Sequence, residues 1–153
     1  MLTRFEQFSS MIFGIYRSIQ RLERDEMIKY GYKGAFAQYL VTLIQYPEGI
    51  TSTKLCEICD KDKAAVSRIV AEMQEKGLIV RECEGAGTYR GKIKLTSHGI
   101  QIAKNVCDAV RATVAATGQT MTEEERVLFY QTLEKLFVKF ESLAKDDIPT
   151  IEV

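Results

Sequence analysis

Apolar side chains recur every three or four positions through most of this chain. Phe5, Phe8, Ile12, Ile15, Ile19 and Leu22 share one face, so the spacing predicts a long amphipathic helix from about Thr3 to Lys29. Gly31 and Gly34 end it. A second helix is predicted from about Phe36 to Tyr46, with Leu40, Leu43 and Ile44 as its buried stripe and Pro47 and Gly49 as its stop. Thr51 suits the N-cap of a short helix running to Cys59. Asp60, Lys61 and Asp62 form a polar break, and another helix follows to about Lys76 with Val66, Ile69, Val70 and Met73 at helical spacing. Gly77 is the expected residue just past its end.

The period then changes. Leu78-Ile79-Val80 reads as a strand, Gly85-Ala86-Gly87 as a flexible tip, and Lys92 to Thr96 alternates as a returning strand. Thr96 or Ser97 caps a helix to about Ala116, and Thr117-Gly118-Gln119 breaks it. Thr122 and Glu125 form a capping box that opens a last helix bearing Val127, Tyr130, Leu133, Phe137, Phe140 and Ala144. Two short helices joined by a tight polar turn and followed by a hairpin predict a winged helix-turn-helix. The fold class is therefore mainly α with a small β-hairpin wing. Residues 1–153 read as one domain, with a winged helix at about 34–96 and terminal helices at 1–30 and 97–146. The terminal helices carry more apolar surface than the middle module can cover, which points to dimerisation through them. A two-fold pair of winged helices suits palindromic DNA, with recognition helices about 34 Å apart.

Charge and composition narrow the function. The 153 residues hold 21 Lys plus Arg and 21 Asp plus Glu, a net charge of zero, so any nucleic-acid contact is local. Across residues 51–96 nine cations face seven anions, a surplus of two. No apolar run approaches the roughly 20 residues of a membrane span. Glu6 ahead of the first apolar stretch is unlike a secretory leader, so a cytoplasmic location, reduced thiols and no membrane partner are expected.

The candidate DNA-binding residues follow from position. Lys63 and Ser67 share a face of the second short helix. Ala64 and Ala65 permit close approach, and Arg68 suits a guanine edge or a phosphate. Ser52 and Thr53 stand at a helix start that suits phosphate. On the hairpin Arg90 is the candidate groove contact, flanked by Tyr89 and Lys92. Asp62 reads as a cap.

Other chemistry is thinner. Cys56-Glu57-Ile58-Cys59 is a C-x-x-C at a helix C-terminal end, where the dipole opposes thiolate formation, so both thiols read as buried core residues. A thiol redox sensor or oxidoreductase using Cys56 and Cys59 is the alternative. His98 is the only histidine and reads as exposed and non-catalytic. With Cys83 and Cys107 scattered, neither a metal site nor a catalytic set is expected, and no phosphate-binding glycine loop occurs. The chain is therefore expected to be neither an enzyme nor a cofactor carrier. Helix order places a candidate effector pocket among Ile15, Tyr16, Tyr39, Leu43 and Cys107, with Arg17 or Arg111 for a carboxylate. A third reading is a dimeric binding module without specific DNA recognition.

Several segments, taken in order, resemble the multiple antibiotic resistance regulator (MarR) family. They are Thr51 to Leu55, Asp62-Lys63-Ala64-Ala65-Val66-Ser67-Arg68, Glu75-Lys76-Gly77-Leu78-Ile79-Val80-Arg81, Arg90, Leu95-Thr96-Ser97-His98-Gly99, and Met121 to Arg126. The resemblance covers nearly the whole chain. It implies a homodimeric winged-helix repressor or regulator of a pseudo-palindromic operator, controlled by a small ligand, often an aromatic acid, or by thiol oxidation. Three features depart from the family pattern. Thr88 stands where Asp commonly precedes the wing arginine, the wing tip is Gly-Ala-Gly, and Asp60-Lys61 forms a turn where glycine is more usual.

Overall fold

A computed structural model describes residues 3–82 and 91–145. Its elements are α1 (Arg4–Lys29), α2 (Phe36–Leu43), α3 (Ser52–Cys59), α4 (Lys63–Glu75), β1 (Ile79–Glu82), β2 (Lys92–Leu95), α5 (Ser97–Gly118) and α6 (Glu123–Lys145). Every element expected from the sequence is present, and the fold is a mainly helical winged helix. Among the described residues no helix is long and apolar enough to cross a membrane.

The chain divides into two compact units, Met1–Ala112 and Thr113–Val153, with α5 running across the division. The first unit holds the core. Met27 of α1, Phe36, Leu40 and Leu43 of α2, Leu55 of α3, Val66, Val70 and Met73 of α4, and Ile79 and Ile93 of the hairpin are all buried together with Ala103 and Val106 of α5. In the second unit, α6 opens on the capping box expected at Thr122. The Thr122 N–H donates to Glu125 Oε2 at 2.8 Å and the Glu125 N–H donates to Thr122 Oγ1 at 3.2 Å.

Two helical expectations change. The α2 helix stops at Leu43, not Tyr46. The Ile44 N–H still makes a helical bond to the Leu40 carbonyl, and the Gln45 and Tyr46 N–H groups then close tighter turns that lead into Pro47, whose ring disfavours helical geometry in the residue before it. The expected apolar face of α1 is only partly covered. Phe8, Ile19 and Leu22 are half-buried, whereas Phe5, Ile12 and Ile15 are exposed, and Met27 alone is fully buried.

The helix-turn-helix is set by three local devices. Thr51 caps α3, its hydroxyl accepting from the Lys54 N–H at 3.2 Å. Asp60 ends α3 in the left-handed region (φ 50, ψ 52), the conformation glycine more often supplies. Asp62 then caps α4, accepting from the Ala65 N–H at 2.9 Å. Past α4, Gly77 at φ +70 lets the Leu78 N–H reach back to the Met73 carbonyl at 3.0 Å, a Schellman closure.

The strands pair antiparallel, with Ile79 opposite Leu95 and Arg81 opposite Ile93. Ile50, just before α3, forms a bridge to the other edge of β2, exchanging hydrogen bonds with Ile93 at 3.1 and 2.8 Å. Gly49 makes this approach possible: it adopts φ +76, and a Cβ there would stand 2.6 Å from Lys94 Cγ. Thr96 closes the base of the hairpin. Its hydroxyl donates to the Gly77 carbonyl at 2.7 Å and accepts from the Gly99 N–H at 2.9 Å, which makes Thr96 the cap of α5.

Candidate nucleic-acid interface

The α4 helix has two faces of opposite character. Val66, Val70 and Met73 are buried and Ile69 is half-buried. Lys63, Ala64, Ser67, Arg68 and Ala71 are exposed. Positions 64, 67, 68 and 71 follow helical spacing, so the outer face is a narrow strip of small and cationic side chains. Ala65 is half-buried, between the two faces. Fixed at the head of this helix, Asp62 has its carboxyl held below the usual aspartate range. The Ala65 backbone N–H is the main cause, and the Arg68 charge adds to it.

Glu72 is half-buried and bonds the Lys33 ammonium in the loop after α1. One of the α4 anions is thereby tied to the scaffold. The loop is tied again by Tyr32, whose hydroxyl lies 2.7 Å from His98 Nε2 in the first turn of α5. His98 is exposed, as expected from its place in the sequence.

At the start of α3, Ser52 is half-buried and Thr53 exposed. Arg81 was not singled out as a contact residue, yet it reaches Ser52, with Nη1 3.4 Å from Ser52 Oγ. The signal was a cation two residues after the buried Ile79, on the face of β1 that should be apolar. Lys92 lies on β2, half-buried. Tyr89, Arg90, Thr88 and the Gly-Ala-Gly tip lie outside the described residues. The candidate contacts on α3, α4 and β2 therefore come from the same compact unit, while the wing-tip contacts have no described position.

The candidate effector residues occupy several environments. Ile15, Tyr16 and Arg17 are exposed on α1, with the Tyr16 hydroxyl accepting from Gln20 Nε2 at 2.8 Å. Tyr39 and Leu43 are buried in the core cluster. Arg111 is exposed and pairs with Asp108 at 2.5 Å. Cys107 is half-buried, and its thiol is pushed up first by burial and then by Glu23 nearby. A cleft of about 280 Å³ lies elsewhere, lined by Gln20, Glu23, Arg24, Gly34, Gln38 and Lys61 among others. Burial pushes the Glu23 carboxyl above its ordinary range.

The C-x-x-C pair is split. Cys59 is buried, with Sγ 3.8 Å from Thr42 Oγ1. Cys56 is only half-buried, contrary to the expectation that both thiols are buried, because a one-third turn along α3 separates it from the inward line of Leu55 and Cys59. Desolvation is the main cause that raises the Cys59 thiol, and it stays protonated further up the pH scale than a free thiol. Native protein at pH 7 is expected to label slowly at Cys59 with a maleimide, at rates approaching those of the unfolded chain only in denaturant. Equal native and denatured rates would contradict this packing. The linked stability is fully present below the pKa of an unfolded thiol, about 8.5, and is lost as pH rises above it.

Residues 30–87 match the MarR family model. Over that segment the chain is similar to the MarR family. Solved structures share the fold across nearly the whole length. A MarR crystal structure superposes with a TM-score of 0.78 at 20% identity, covering 95% of this chain and 99% of that one. A MarR-family transcriptional regulator of Listeria monocytogenes, crystallised with a 26mer DNA, gives a TM-score of 0.73 at 21% identity, covering 95% and 92%. Among curated proteins, one named for transcriptional regulation of the hcr operon in Thauera aromatica is 24% identical over 98 residues. A riboflavin kinase of Thermococcus kodakarensis is 31% identical over 64 residues. These matches cover 64% and 42% of this chain but only 59% and 29% of the two relatives. The MarR-family match spans α2, α3, α4 and β1, the elements that build the exposed α4 strip and the Arg81–Ser52 contact.

Proposed function

We infer that this chain is a sequence-specific DNA-binding transcriptional regulator, a cytoplasmic repressor acting as a homodimer on a pseudo-palindromic operator. The single observation that carries the reading is the outer face of α4. Lys63, Ala64, Ser67 and Arg68 are exposed there while the opposite face seals the core. Small side chains let a helix enter the major groove, and cations at its head supply phosphate and base-edge contacts. The DNA-bound Listeria relative, which has the same fold, supports this use of the module. Residues 34–96 are the DNA-binding part in this reading.

Dimerisation rests on the helices outside that part, residues 1–30 and 97–146. Phe5, Met11 and Phe13 on α1 are each more than 60% exposed, as are Leu128 and Phe137 on α6. Apolar surface of this extent is ordinarily covered, and a second copy of the chain covers it symmetrically. A small acidic or aromatic effector would act by shifting the population of DNA-competent dimers. The cleft flanked by Arg24 and Lys61 offers such a molecule cations, whereas Tyr39 and Leu43 already fill the core. The thiol-redox alternative is disfavoured by the burial of Cys59.

The test combines sedimentation velocity with titration of a fluorescent mixed-sequence duplex of about 30 base pairs. The expected result is a dimer whose duplex affinity falls steeply with salt, roughly as the 0.9 power per phosphate contacted. A folded protein that is monomeric, or that fails to bind the duplex at low salt, overturns the reading.

A further inference from the structure

We propose that Arg81 is a further DNA-contacting residue, which holds a backbone phosphate at the junction of α3 and the wing, with Ser52 fixing its guanidinium in place. The inference rests on the DNA-binding reading above and adds a contact separate from α4 and from the wing tip.

The strand register is the first observation. Arg81 pairs with Ile93, and Ile93 is bridged on its other side to Ile50. Paired residues of neighbouring strands project to the same face, so Arg81 shares the face of buried Ile79 and Ile93. A cation on an apolar face needs a reason. Here it lies at the edge of the core with its side chain exposed, and it spans toward the first residue of α3.

The second observation is how the charge is used. Glu82, the next residue, pairs with Lys94 at 2.8 Å. Arg81 has no carboxylate partner among the described residues, and its contact there is the neutral hydroxyl of Ser52 at 3.4 Å. A guanidinium carries five N–H donors in a fixed fork, so one bond to a hydroxyl orients it and leaves the others for a phosphate. The place is also suitable. In a helix-turn-helix the first of the two helices crosses the DNA backbone, and Ser52 opens that helix. The Ile50–Ile93 bridge holds the start of α3 and the hairpin together, so the guanidinium is presented with little freedom to lose.

The number of phosphates contacted is read from the slope of log affinity against log salt, which a purely structural role leaves unchanged. The probe is the mixed-sequence duplex of about 30 base pairs, bound by wild type, Arg81→Ala, Arg81→Gln and Arg81→Lys. The expected result is a slope shallower by about 0.9 per subunit in Arg81→Ala and Arg81→Gln, with affinity about tenfold lower per contact near 0.1 M salt. Arg81→Lys should keep the wild-type slope. Gln retains a donor for Ser52 without the charge, so it decides the matter if Arg81→Ala fails to fold. An unchanged slope in the folded neutral variants overturns the proposal while leaving the DNA-binding reading intact. Failure of the wild type to bind the duplex overturns both.

Discussion

Replacing Gly99 with alanine is expected to destabilise the winged-helix unit by about 3 kcal/mol, a large share of a small domain's stability. A Cβ at Gly99 would stand 2.0 Å from the Leu78 carbonyl oxygen and 3.0 Å from its carbon. Both are backbone atoms, and neither can turn aside. The Leu78 carbonyl already accepts from the Thr96 N–H at 3.0 Å and lies 3.3 Å from the Thr96 hydroxyl. Relieving the overlap therefore means separating the first turn of α5 from the base of the hairpin, which breaks the hydrogen bonds that Thr96 makes there. Gly118 is the control. It also lies in α5, but a Cβ there would meet only Met121 Cε, at 3.9 Å. Gly118→Ala is expected to be neutral or to gain up to about 1 kcal/mol from helix propensity. Urea unfolding followed by circular dichroism, at one fixed protein concentration, separates the two. Equal midpoints for both variants would contradict the close packing of α5 on the hairpin.

The double substitution Lys63→Ala with Arg68→Ala is expected to lower duplex affinity at least about a hundredfold at 0.1 M salt while leaving the fold intact. Each cation that contacts a phosphate contributes roughly tenfold at that salt, so losing the two contacts of even one subunit accounts for about a hundredfold. Both side chains are exposed, and the Asp62 cap acts through the Ala65 N–H, which the substitutions do not touch. Alanine is the best helix former, so the stability change should remain within about 0.5 kcal/mol. A double variant that binds as tightly as wild type would place the DNA-contacting surface elsewhere.

The elements themselves were legible because caps and periodicity agreed at each boundary. Thr51, Asp62 and Thr122 cap where they were expected to, and Gly77 closes α4. Asp60 shows that a turn can be recognised from its polarity even where the usual glycine is missing, because a short polar side chain tolerates the left-handed region. Periodicity was less informative about burial. It placed Phe5, Ile12 and Ile15 on one face of α1, but a periodic face does not say whether the same chain covers it.

The candidate site divides along the same line. The exposed strip on α4 was legible, since Val66, Val70 and Met73 fix which side is buried and leave Lys63, Ser67 and Arg68 outside. Arg81 was not, because its meaning depends on strand register and on a bridge to Ile50 some thirty residues away. The proposed effector residues were drawn from helix order alone. Such an order does not distinguish a cavity wall from a packed core, and Tyr39 and Leu43 are in the core.

We propose that a two-fold pair of these modules reads DNA through the outer face of α4. It is tested most directly by selecting duplexes from a random pool near physiological salt, with wild type and the Lys63→Ala, Arg68→Ala variant side by side. Wild type is expected to enrich an inverted repeat with half-sites about one helical turn apart, and the variant is not. No enriched motif with a folded, dimeric wild type, or the same motif from both proteins, would contradict it.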